Sequence, residues 1–148
     1  MTWVYDDGGR VEAGYKGHAG DCVCRAVAIA TGLPYERVYR EINTRAAKER
    51  HRCGGKRSSA RTGVHTNRTW FKRWLRGLGW VWRPTMQIGT GCTVHLLAEE
   101  LPPGRLIVAV SQHLVAVIDG VIHDTDDPSR DGRRCVYGYW YKPHAKRA

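Results

Sequence analysis

A chain of 148 residues, 42% of them hydrophobic and 9% aromatic, is long enough for one domain with a modest core and too apolar for a disordered tail. No run is long and apolar enough to cross a bilayer, and Met1 to Asp7 lacks the basic, apolar pattern of a secretory signal. The formal charge of +10 draws the chain toward polyanions, whether nucleic acid, an acidic protein or a cell wall.

The first predicted element is a helix from Cys22 to Thr31. Gly20 and Asp21 turn into it, Gly32 is suited to end it, and Pro34 blocks its continuation and opens a second helix to Lys48. Tyr35, Val38, Tyr39, Ile42 and Ala46 fall on one side of that second helix, and Glu36 lies in its favourable first turn. Residues 50–66, rich in Gly, Ser and Arg, read as a mobile basic loop. Thr66 or Asn67 is expected to cap a third helix ending near Gly77 or Gly79. Trp70, Phe71, Trp74, Leu75 and Leu78 form its apolar stripe; the tryptophans, at core spacing, could otherwise stack on bases.

Trp80-Val81-Trp82 reads as a short strand, Thr93 to Leu101 as a short helix stopped by Pro102 and Pro103, and Arg105 to Ser111 as an apolar strand. His113 to Ile118 and Val121 to Thr125 form a hairpin about Asp119-Gly120. Arg134 to Tyr141 reads as the last strand. Helices first and an antiparallel sheet after them make an α+β domain covering residues 1–148.

The basic excess is local. Arg45, Lys48, Arg50, Arg52, Lys56, Arg57, Arg61, Arg68, Lys72, Arg73 and Arg76 crowd a segment whose one acid is Glu49. Arg50, Arg52, Lys56, Arg57, Arg61, Arg68, Lys72 and Arg73 are therefore the candidate polyanion contacts, although a solvated face has the same composition. Cysteines number 5, an odd count without a secreted context, which argues against a disulfide framework. Cys22 and Cys24 (C-x-C) and His51 and Cys53 (H-x-C) lack the usual zinc spacing, so no metal ligands are assigned, and Cys92 and Cys135 read as small core hydrophobes.

Chemistry enters with Cys22. A thiol at a helix start meets partial positive charge and unpaired N–H groups, which favour its reactive thiolate. The backbone N–H groups of Cys22 and the Gly20-Asp21 turn are placed to hold an oxyanion, and His18 falls nearby. A two-residue Asp119-Gly120 turn pairs Ile118 with Val121, Val115 with Asp124 and His113 with Asp126. His113 then shares a face with Asp124, its diagonal neighbour, and with Asp126, while His123 points the other way. A base oriented by Asp124, with Asp126 as the alternative, and a nucleophile on a helix make the layout of a thiol hydrolase. Cys24, two residues on, faces inward.

Gly20-Asp21-Cys22-Val23-Cys24-Arg25-Ala26 resembles the G-N-C-hydrophobic-F-R-A block of ovarian-tumour-type deubiquitinases, within the papain-like cysteine peptidase superfamily. His113-Leu114-Val115-Ala116-Val117 resembles the histidine strand of that superfamily, and Val121-Ile122-His123-Asp124 the strand that ends in its third triad member. Bacteriocin-processing peptidases share the histidine strand and following acid, and the whole string resembles small proteins of phages and bacteria. The resemblance implies a papain-like α+β fold and a peptidase, isopeptidase or acyl transferase. Cys22 would be nucleophile, His113 base and Asp124 orienter. The oxyanion would fall to the backbone N–H groups of Asp21 and Cys22, because no glutamine stands upstream. It implies a protein or peptide substrate, no cofactor and no metal; the missing signal and membrane patterns imply a cytoplasmic setting, or a host cytoplasm or virion for a phage protein. The alternative function is a non-catalytic basic protein on the same scaffold, gripping nucleic acid or an acidic partner, as in a phage accessory or structural protein.

Overall fold

The computed structural model describes residues 1–17, 19–49 and 58–143. Three helices and six strands make an α+β fold: β1 (Trp3–Tyr5), α1 (Cys22–Thr31), α2 (Tyr35–Ala46), α3 (Thr69–Gly77), β2 (Val81–Pro84), β3 (Arg105–Val110), β4 (His113–Ile118), β5 (Val121–Asp124) and β6 (Val136–Tyr141). The sheet runs β1-β5-β4-β3-β6-β2. It is mixed rather than antiparallel, because β1 pairs parallel with β5, Tyr5 beside Asp124. Among the described residues no helix is long and apolar enough to cross a membrane.

α1 has the bounds its sequence implies. Small and β-branched residues bury almost all its sides, since it is wedged between the sheet and α2. Gly32 ends it in the left-handed region, φ 76°, its N–H donating to Ala28 O at 2.9 Å. α2 buries Tyr35, Val38, Ile42 and Ala46, and α3 buries Phe71, Trp74 and Leu75. The aromatic stripe of α3 is therefore core. α3 begins later than expected, after Arg68 and without a side-chain cap, because Arg68 N–H is already turned back onto His65 O, 3.0 Å.

β4 and β5 pair as the turn arithmetic requires, Ile118 with Val121, Val117 with Ile122 and Ala116 with His123. Alternation along these strands builds two layers. Ile107, Leu114, Ala116 and Trp140 pack toward the helices. Leu106, Val108, Val115, Val117 and Ile122 pack with Leu96 and Leu101, from the chain between β2 and β3. Nearly every apolar position of β3 and β4 is thereby buried, and each such side chain contributes about 1.5–3 kcal/mol.

Three expectations are corrected. The 93–101 helix is only a 3₁₀ turn, Ala98–Glu100, since His95 is drawn into a bridge with Cys135. Cys92 and Cys135 are not core hydrophobes but a disulfide, with Cys92 exposed. The last strand starts at Val136, because the Arg134 side chain is held in a loop by Pro128 O and Ser111 O. Within the 50–66 segment, the described residues 58–66 bond to α2 and to one another. Ser58 bonds the buried Glu49 carboxylate through N–H (2.8 Å) and hydroxyl (3.1 Å), Ala60 N–H donates to Asn43 Oδ1 at 2.9 Å, and Ser59 bridges Gly63.

Candidate active site

The N-terminus of α1 overhangs the end of the sheet where β4 begins and β5 ends. Three side chains meet there. The Cys22 thiol and the His113 ring line the same cleft and interact electrostatically. The His113 ring donates Nε2–H to Asp124 Oδ2, 2.6 Å, which leaves Nδ1 for the thiol and sets the tautomer. Asp124 is held in turn by Thr125 N–H at 2.7 Å and the Arg25 guanidinium at 3.3 Å. Its backbone carbonyl takes Asp6 N–H and Trp3 Nε1–H, each at 3.0 Å. The acid is thus fixed by β1 as well as by its own strand.

The electrostatics separate the two helix thiols. Burial works against ionisation of Cys22. The His113 hydrogen bond and charge, the Leu114 backbone N–H and the Arg25 charge outweigh it and bring the thiol below its ordinary range. Burial likewise disfavours an imidazolium at His113, yet Asp124 and the Cys22 sulfur raise its pKa to about 9. Burial raises Asp124 too, but His113, Thr125 N–H and Arg25 hold it below the usual carboxylate range. Together these favour a thiolate–imidazolium pair. Cys24 is buried against Tyr35 O, 3.9 Å, and burial pushes it up to about 12. Burial thus opposes its thiolate form, in keeping with its inward direction.

Other assignments divide. Asp126 is exposed and Asp124 occupies the ring nitrogen, so the alternative third member is not the one in place. His123 turns to Asp6, 3.3 Å. Gly20 N–H is committed to Arg61 O at 2.8 Å, which removes it from the oxyanion donors and leaves the N–H groups of Asp21 and Cys22. His18, Arg50, Arg52, Lys56 and Arg57 lie outside the described residues, as do His51 and Cys53. Arg68 is spent internally on Glu49, 3.1 Å. Lys72 and Arg73 are exposed on α3, and Arg61 is exposed beside the site.

Sequence reasoning missed the ion pairs beneath the helix start. The Asp21 carboxylate is 2% exposed and accepts from Arg25 and from the Tyr35 hydroxyl (2.7 Å), with Arg10 Nε 3.6 Å away. The available signal was the i, i+4 spacing of Asp21 and Arg25. Cys22 opens onto a cleft of about 620 Å³, walled by Thr62, Val64, Val110, His113 and Tyr137. On the other side of His113 a smaller cleft of about 390 Å³ is lined by Arg25, Gln112, Asp126, Arg130 and Arg134. A larger hollow, about 1010 Å³, lies at the far end of α1 by Thr31 and Arg105, with no cysteine or histidine among its described lining. Reactive groups, rather than size, therefore identify the first cleft as the candidate site. No protein-family model, no curated protein and no solved structure matches this chain.

Proposed function

We propose that the chain is a cysteine-dependent hydrolase of papain-like architecture, cleaving a peptide, isopeptide or related amide bond or passing the acyl group to an acceptor. The observation that carries this reading is the meeting of the Cys22 thiol and the His113 ring at one cleft, with the Asp124 carboxylate bonded to the far nitrogen of that ring. The Cys22 thiolate attacks the substrate carbonyl carbon, and the oxyanion lies against the N–H groups of Cys22 and Asp21. His113, protonated on Nδ1, gives that proton to the leaving amine as the C–N bond breaks, and a thioester remains. His113 then takes a proton from water or an acceptor amine, whose attack on the thioester releases Cys22. Asp124 keeps the ring oriented and stabilises its charged form.

The test is iodoacetamide labelling read by mass spectrometry across pH, joined to turnover of a fluorogenic peptide-amide library. Wild type is expected to label at Cys22 well below the ordinary thiol range and to release amine. Cys22→Ala is expected to do neither while keeping its circular dichroism. Cys22 labelling with an ordinary thiol pH dependence, unaltered by His113→Ala, would overturn the proposal.

A second reading rests on α3. Lys72, Arg73 and Arg76 stand exposed on the face opposite buried Phe71, Trp74 and Leu75, a surface suited to nucleic acid or an acidic protein. Affinity for DNA or RNA that falls steeply with salt and survives Cys22→Ala would favour it; no affinity at low salt would dismiss it.

A further inference from the structure

Away from Cys22, the chain between β2 and the 3₁₀ turn runs back beside the start of β6 and assembles a second cysteine–histidine–carboxylate group. Cys92 and Cys135 are joined as a disulfide. His95 stands against it, Nε2 3.5 Å from Cys92 Sγ. The other ring nitrogen, Nδ1, lies 3.2 and 3.4 Å from the two Glu100 oxygens, and Glu100 Oε2 also accepts His95 N–H at 2.9 Å. One carboxylate thus fixes both the backbone and the ring of His95. Besides the disulfide, backbone contacts join the two chain segments: Leu96 N–H to Arg134 O (2.9 Å), Val136 N–H to Val94 O (2.8 Å) and the His95–Cys135 bridge.

We propose that reduction of this disulfide converts Cys92, His95 and Cys135 into a zinc site, with Glu100 as the outer carboxylate and water in the fourth position. While the sulfurs are bonded to each other neither is a thiolate, and no group of three metal ligands is in place among the described residues. Reduction by a dithiol supplies two electrons and two protons; the S–S bond becomes two thiols and the dithiol leaves as its own disulfide. Zinc then displaces the two thiol protons.

Geometry and chemistry fit this ion. Zn–S of about 2.3 Å and Zn–N of about 2.0–2.1 Å at a tetrahedral angle place sulfur and nitrogen roughly 3.5 Å apart, the separation found between Cys92 and His95. Two zinc-bound sulfurs lie roughly 3.8 Å apart, a span that side-chain rotation reaches from a Cα–Cα separation of 5.8 Å. Two thiolates with an imidazole favour zinc over hard cations. A carboxylate on the far ring nitrogen fixes the tautomer that presents Nε2. Cys92 is exposed and His95 half-exposed, so the ion has a path from solvent. The signal in the chain is Cys92-Thr93-Val94-His95, a C-x₂-H run whose third ligand is 43 residues away. The disulfide and the metal compete for the same sulfurs, so oxidation ejects zinc.

The experiment uses the full chain carrying Cys22→Ala and Cys53→Ser, which removes the other Cys–His pair and the cysteine outside the described residues. The protein is reduced with a phosphine, desalted without oxygen and titrated with Co²⁺. One equivalent is expected to give thiolate-to-cobalt charge-transfer bands and a tetrahedral d–d envelope, both abolished by Zn²⁺ displacement or by re-oxidation. Cys92→Ser is expected to remove the charge-transfer bands from the single site. Glu100→Gln is expected to weaken Co²⁺ binding roughly 10–100-fold without changing the spectrum at saturation. Absence of these bands in the reduced, folded protein would overturn the site, as would bands unaffected by His95→Ala. Loss of folded circular dichroism on reduction that zinc does not restore counts equally against it.

Discussion

Cys22 and Cys24 stand two residues apart on one helix, yet their surroundings give them opposite chemistry. Cys22 has an imidazole, a backbone N–H and a guanidinium in reach, whereas Cys24 has a carbonyl and aliphatic groups. In the native protein, alkylation is therefore expected to follow pH with a midpoint below the ordinary thiol value of about 8.5 at Cys22, and to be absent at Cys24 until the chain is unfolded. His113→Ala is expected to move the Cys22 midpoint upward, because it removes the largest influence that lowers it; peptide mapping at each pH reads both effects. Turnover is expected to fall as pH rises through about 9, the value to which Asp124 and the Cys22 sulfur raise His113, and Asp124→Asn is expected to bring that alkaline fall to lower pH. Beneath this pair, Asp21 carries a structural load. Asp21→Ala leaves Arg25 and the Tyr35 hydroxyl short of a buried partner, a loss of about 3–5 kcal/mol measurable in the urea midpoint. Cys22 and His113 are legible as a candidate pair in the chain because each opens its element. The role of Asp21 is not, since a turn-forming Asp looks the same whether or not a tyrosine hydroxyl arrives 14 residues later.

α1 and the β4–β5 hairpin follow directly from local signals: a small-residue run closed by Gly32, and Asp119-Gly120 between two apolar strands. Asp119 (φ 48°) and Gly120 (φ 78°) both occupy the left-handed region such a turn demands, and the resulting register brings His113 to Asp124. β1 escapes the same reading. Trp3-Val4-Tyr5 is three residues long and exposed, so it shows no burial alternation, and its partner lies at the far end of the sequence. The Cys92–Cys135 pairing escapes for the same reason, because separation along the chain hides proximity across the sheet. The β2–β6 ladder adds a requirement no propensity reveals. A Cβ on Gly138 would come within 2.4 Å of the Trp82 ring and 2.8 Å of Arg83 O. Gly138→Ala is therefore expected to cost about 1–3 kcal/mol and to loosen the edge strand first, seen as faster hydrogen exchange at the amides of Val81, Trp82 and Arg83 than elsewhere in the sheet.

At the scale of the molecule, the buried charges tie folding to pH. Folding raises His113 to about 9, so its contribution is complete below its unfolded value near ~6.5 and is lost as pH rises through about 9. Folding lowers Asp124, so its contribution is complete above its unfolded value near ~3.9 and is lost as pH falls through the lower folded value. Urea midpoints of the wild type are expected to form a plateau through the neutral range with a fall on either side. In Asp124→Asn the acid-side fall should be shallower and the plateau lower.

The contact from Trp3 to the Asp124 carbonyl spans 121 residues, and the strand pairing beside it joins the opening of the chain to its last third. Loops that large close slowly. Residue 22 is synthesised long before residue 124, so until the chain is complete the Cys22 thiol lacks the His113–Asp124 pair that surrounds it in the folded protein. The electrostatic setting of Cys22 is thus a late product of folding, expected to appear in refolding experiments only as the sheet completes.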